Sequence, residues 1–79
     1  MTKMILVSRS QGERGQNGKK KIYEIVVNGN CVIVRWGKAE EDTRQTQTKF
    51  FQSEWAAKSF AAEKKWAKID KGYELVLVA

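Results

Sequence analysis

Apolar side chains recur along this chain with two different periods. Residues 4–7, 22–27, 31–36 and 73–78 are short runs rich in Val, Ile, Leu and Tyr, the composition of β-strands. Residues 43–51 form a further candidate strand, but Gln45, Thr46, Gln47, Thr48 and Lys49 make it polar on both faces. Such a strand keeps at least one face in solvent. Over residues 54–70 the spacing becomes helical. Trp55, Ala62, Trp66 and Ile69 share a stripe, with Ala56, Phe60 and Ala67 beside it and Lys58, Lys64, Lys65 and Lys68 opposite. An amphipathic helix turns its apolar stripe to the core, so Trp55 and Trp66 are expected to anchor it on the sheet. Glu63 falls inside that stripe and calls for a buried partner or a rim position.

Turn and cap residues divide these elements. Proline is absent, so glycine and asparagine supply the turns. Asn28-Gly29-Asn30 between two β-branched runs predicts a hairpin, because Gly and Asn tolerate positive φ. Its register stays open. A two-residue turn puts Trp36 on the face of Tyr23 and Ile25, and a three-residue turn puts it on the face of Ile22 and Glu24. Gly37 is expected to end the return strand. Ser53 is suited to cap the helix, with Glu54 in its first turn, and Gly72 to follow its end. The sum is an α+β architecture in one domain, residues 1–79: an antiparallel β-sheet of four to five strands with one α-helix packed on one face.

Composition narrows the chemistry. The 79 residues include no histidine and one cysteine, Cys31. There is no Ser-His-Asp triad, no His-ligated zinc and no intramolecular disulfide to form. The longest apolar run near the N-terminus is residues 4–7, too short for a signal segment or membrane span. A reduced, cytoplasmic protein without cofactor, membrane or small-molecule substrate is expected. Glu40, Glu41 and Asp42 read as a solvated turn, since three adjacent carboxylates lack the shaped loop of a metal site. Gly12, Gly15 and Gly18 lie in a polar loop that lacks phosphate-loop spacing.

Fifteen Lys and Arg against nine Asp and Glu leave a net charge of +6. Residues 1–38 hold eight basic and two acidic side chains, and residues 39–79 hold seven of each. The whole excess therefore lies in the N-terminal half, which a polyanion meets first. Arg35-Trp36-Gly37-Lys38 sets an aromatic ring between cations at a strand end, a pattern that suits stacking on a nucleotide and contact with phosphate. The alternative is that Trp36 packs in the core or at its rim. Lys19, Lys20 and Lys21 add a basic cluster for phosphate contact, or else a solvated loop end.

The ordered set resembles the WGR domain family, named for a Trp-Gly-Arg signature. It runs from Tyr23-Glu24 through Val32-Ile33-Val34-Arg35, Trp36-Gly37-Lys38 and a Gln/Thr/Lys strand ending in Phe50-Phe51. A Ser-capped helix with Ala57 and Phe60 follows, then Lys68-x-x-Lys71-Gly72-Tyr73. The likeness covers about residues 19–77, with Lys38 standing where the signature has Arg. The family occurs in DNA-dependent poly(ADP-ribose) polymerases, where it engages DNA strand ends, and in bacterial proteins, some small and stand-alone. The resemblance implies an antiparallel sheet with one helix, a stacking role for Trp36 and a phosphate role for Lys38, with Gly37 as a turn between them. It favours the three-residue register, with Trp36 exposed on the face away from the helix.

These readings make the chain a non-enzymatic nucleic-acid-binding module, with DNA expected ahead of RNA and duplex ends or breaks as the target. Trp36, Gly37, Lys38, Arg35, Lys19, Lys20 and Lys21 are the candidate contacts. The other reading is a protein-interaction module that docks an acidic partner through the basic half.

Overall fold

The computed structural model describes residues 1–8, 20–38 and 44–79. Five strands and one helix follow in the order β1 (Thr2–Ser8), β2 (Lys21–Asn28), β3 (Cys31–Lys38), β4 (Gln45–Phe50), α1 (Glu54–Asp70) and β5 (Tyr73–Val78). The strands form one sheet in the order β4-β3-β2-β1-β5, antiparallel at every neighbour. The chain leaves one edge at β4, crosses one face as α1 and returns along the other edge as β5. Polar β4, exposed throughout, is an edge strand, as its lack of an apolar face requires. The Gly12–Gly15–Gly18 loop, Lys19, Thr43 and the Glu40–Glu41–Asp42 turn lie outside the described residues.

Two-residue periodicity sorts the sheet into faces. Met4 and Leu6 from β1, Tyr23, Ile25 and Val27 from β2, and Val32 and Val34 from β3 are buried beneath α1. Asn28 pairs with Cys31, so the hairpin turns on two residues, Gly29 and Asn30, with Gly29 at φ 62. This register sets Trp36 opposite Tyr23. Trp36 therefore shares the face that α1 covers, not the face away from the helix, and the three-residue register is overturned. One residue of slip would have exchanged every side chain of β3 between faces. β3 also continues through Gly37, which pairs with Ile22, to Lys38, so Gly37 is a strand residue and not the strand's end.

The helix begins and ends as its sequence predicts. Ala56 N–H donates to Ser53 Oγ at 3.1 Å, and Gly72, at φ 104, donates its N–H to the Ile69 carbonyl at 3.0 Å. Its rotation differs from the expectation. The buried positions are Ala57 and Ala61, with Phe60 and Ile69 packed beside them. Trp55 is 76% exposed and Trp66 57% exposed, so neither anchors the core. Small side chains let α1 sit close over Leu6, Ile25 and Val32; an indole there would hold it off. The rotation is fixed at the entrance to the helix. Asn30 Nδ2 donates to the Phe51 carbonyl at 2.8 Å, and Phe51 N–H donates to the Asn30 carbonyl at 2.8 Å. Phe51, so held, packs on Phe60 with ring centroids 5.1 Å apart. Glu63 is then simply exposed, and its apparent conflict with an apolar stripe disappears.

Candidate functional site

At the end of the sheet remote from the β2–β3 turn, four side chains make two successive cross-strand pairs. Tyr23 lies opposite Trp36, and Lys21 lies opposite Lys38. Alternation places all four on the helix-covered face, because β3 stays extended through Gly37. Ser8 Oγ accepts a hydrogen bond from Lys21 N–H at 2.7 Å, and the Lys38 carbonyl accepts one from Arg44 Nη1 at 3.0 Å. Both bonds hold the ends of the two strands.

The last turn of α1 closes over this corner. Lys68 reaches down so that its Nζ lies 4.5 Å from the centre of the Tyr23 ring and 5.3 Å from that of Tyr73. Tyr23 stands between Trp36 and Tyr73, with centroids 6.4 Å from each. Lys21, Tyr23, Trp36, Lys38, Lys68 and Tyr73, with the backbone of Ile22 and Gly37 beneath, line a cleft of about 170 Å³. Trp36 is half-buried: it packs on the core on one side and lines the cleft on the other.

The electrostatics of the cleft favour an anion. Like charges directly opposite on a sheet repel, as Lys21 and Lys38 are. Among the described residues none of Lys21, Lys38 and Lys68 makes an ion pair; the ion pair described is Lys3 with Glu24, at 3.3 Å. The Lys68 ammonium is held below its usual pKa, first by burial and then by Lys71, Lys64 and Lys21. Burial raises the Tyr23 phenol, helped by Tyr73, and burial raises Tyr73. A phosphate among the three lysines would relieve repulsion that the fold otherwise carries.

Of the residues singled out from sequence, the cleft unites Lys21, Trp36, Gly37 and Lys38. Arg35 lies on the opposite face, paired with Glu24 and Thr46 and exposed, because adjacent strand residues point to opposite sides. Lys20 is exposed just before β2 and does not line the cleft. Lys19 lies outside the described residues. Sequence reasoning passed over Tyr23, Lys68 and Tyr73 as site residues. Lys68 and Tyr73 belong to the Lys68-x-x-Lys71-Gly72-Tyr73 segment, but Lys68 looked like a member of a solvated row.

A family model described as the WGR domain matches residues 7–77. That span includes β2, β3, α1 and every cleft residue, and it begins earlier than the resemblance read from motifs. No curated protein and no solved structure gives a significant match.

Proposed function

This chain belongs to the WGR domain family, a family of nucleic-acid-binding modules, and from that membership we propose that it binds DNA through the cleft between β2, β3 and the last turn of α1. The observation that carries the proposal is the convergence of Lys21, Lys38 and Lys68 on the open side of Trp36. In this reading the lysines meet backbone phosphate as point charges, and the indole packs on a base or sugar. Gly37 contributes backbone to the cleft, since its position in β3 faces the opposite side of the sheet from Trp36 and Lys38. Arg35 faces away and takes no part in this contact.

End recognition is the finer part of this proposal and follows from the family likeness. A cleft of about 170 Å³ is smaller than an ordinary small-molecule pocket and takes a phosphate with part of its sugar or base. The exposed face of α1 carries Glu63 and Asp70 beside Lys58 and Lys65, a balance that does not suit a helix laid against the phosphates of a major groove. The proposed role is binding, in a reducing cytoplasmic setting where Cys31 remains a thiol.

The test is competition for a linear duplex with free ends by covalently closed circular DNA of the same sequence. The expected result is salt-sensitive binding that the circle competes poorly. Equal competition would remove end recognition and leave non-specific binding. Absence of binding to both forms at low salt would overturn the nucleic-acid reading and favour an acidic protein partner at the same lysines.

A further inference from the structure

Three members of the α1 stripe expected to face the core, Trp55, Ala62 and Trp66, face away from it, while Ile69 packs against it. Trp55, Ser59, Ala62 and Trp66 are all exposed on the side opposite Ala57 and Ala61. Their spacings of four, three and four residues average close to the repeat of helices that pair side by side. The flanks of this stripe carry opposite charges. Lys58 and Lys65 border one side, and Glu63 and Asp70 border the other.

We propose that this face pairs with the same face of a second copy of the chain, with the two helices parallel. The charges choose both partner and direction. A two-fold axis along the helices brings the lysine flank of one copy to the acidic flank of the other, so that Lys58 meets Glu63 of the second copy and Lys65 meets its Asp70. Each contact is repeated by symmetry. An antiparallel pair would set lysine flank against lysine flank. Helical side chains lean toward the N-terminus, so Trp66 leans over Ala62, where small residues leave room for an indole. The Lys65 ammonium already lies 4.6 Å from the centre of its own Trp66 ring, at the rim of the stripe. The overall charge of +6 does not oppose the contact locally, because residues 39–79 hold seven basic and seven acidic side chains. The pairing does not depend on what the cleft binds. Parallel helices set both clefts, each at the C-terminal end of its α1, at the same end of the dimer.

The experiment is sedimentation equilibrium of the full chain at rising concentration, with three variants. The parent is expected to approach twice its mass of 9.1 kDa. Trp55→Glu/Trp66→Glu is expected to stay monomeric with an unchanged circular-dichroism spectrum, both side chains being exposed. Lys58→Glu/Lys65→Glu alone, and Glu63→Lys/Asp70→Lys alone, should each associate about tenfold or more weakly than the parent through loss of exposed ion pairs. An equal mixture of these two charge variants should restore association. A parent that remains monomeric at every concentration overturns the proposal. So does dimerisation of the tryptophan double variant, and so does failure of the mixed charge variants to recover, which is readable even if the tryptophan variant fails to fold.

Discussion

Trp36 is a wall of the core and a wall of the cleft at once, so replacing it has two consequences. Trp36→Ala removes packing against Tyr23 and is expected to cost about 1–3 kcal/mol, less than the ~3–5 kcal/mol of a fully buried aromatic. It should also weaken nucleic-acid binding by about 1–3 kcal/mol, the worth of one stacking contact. Urea denaturation and a binding titration separate the two, and a binding loss explained by the unfolded fraction alone would leave Trp36 a structural residue. Lys38→Glu behaves differently. It replaces repulsion across the Lys21–Lys38 pair with attraction, so stability should hold or rise by roughly 0.2–1 kcal/mol while binding is lost. Lys68 gives the cleft a pH dependence. Its folded pKa lies below the ordinary 10.5, through burial first and neighbouring lysines next. The unfolded chain therefore keeps this proton to higher pH, and Lys68 lets stability rise as pH climbs through its folded value toward 10.5. Tyr23 and Tyr73, both raised from 10.0, act oppositely, and stability falls as pH passes 10.0. Bound phosphate holds the Lys68 proton on, so affinity should fall as pH rises through that lowered folded value. Lys68→Arg should flatten that part of the binding profile, because arginine does not deprotonate there; an unaltered slope would remove Lys68 from the phosphate contacts.

At the scale of elements, the rotation of α1 decides which residues carry stability. Ala57 and Ala61 fill the contact with the sheet. Ala61→Leu should cost about 1–3 kcal/mol by overpacking, whereas Trp66→Ala in dilute monomer should change stability by no more than about 0.5 kcal/mol, as at other exposed sites. Chemical denaturation of the two variants side by side checks this, and the opposite ranking would mean that the helix presents its tryptophans to the sheet after all. The clamp between Asn30 and Phe51 holds the rotation. It joins the tip of one hairpin to the entrance of the helix, and Phe51 transmits it to Phe60.

Across the whole molecule, charge and geometry are divided between the two surfaces of the fold. The cleft gathers Lys21 and Lys38 from the basic half and Lys68 from the helix, while the outward face of α1 carries balanced charge. If three lysines each neutralise one phosphate, the logarithm of affinity should fall with the logarithm of salt concentration at a slope of about −3. Lys38→Glu should lower the magnitude of that slope. A slope near zero would mean that binding, if seen, does not run through phosphate at all.

The sequence alone was enough for the elements and their ends. Short apolar runs marked β2, β3 and β5, helical spacing marked α1, and Ser53 and Gly72 act at its two ends as local chemistry requires. It was enough, too, for the order of elements that carries the family likeness and for the choice of Trp36 and Lys38, because both stand in one local string. Tertiary structure decided what depends on parity and rotation. Whether the turn after Asn28 takes two residues or three leaves the strand pattern unchanged, yet it determines which face Trp36 occupies. α1 has two stripes, one of alanines with Phe60 and one with Trp55 and Trp66, and hydrophobicity favours the larger side chains. The sheet selects the smaller ones, because closeness of approach over bulky Leu6, Ile25 and Val32 yields more contact than two indoles that would hold the helix away. With that rotation Lys68 turns inward over Tyr23 and the tryptophans turn out, so the composition of the cleft and of the free helix face followed from packing between elements that lie far apart in the chain.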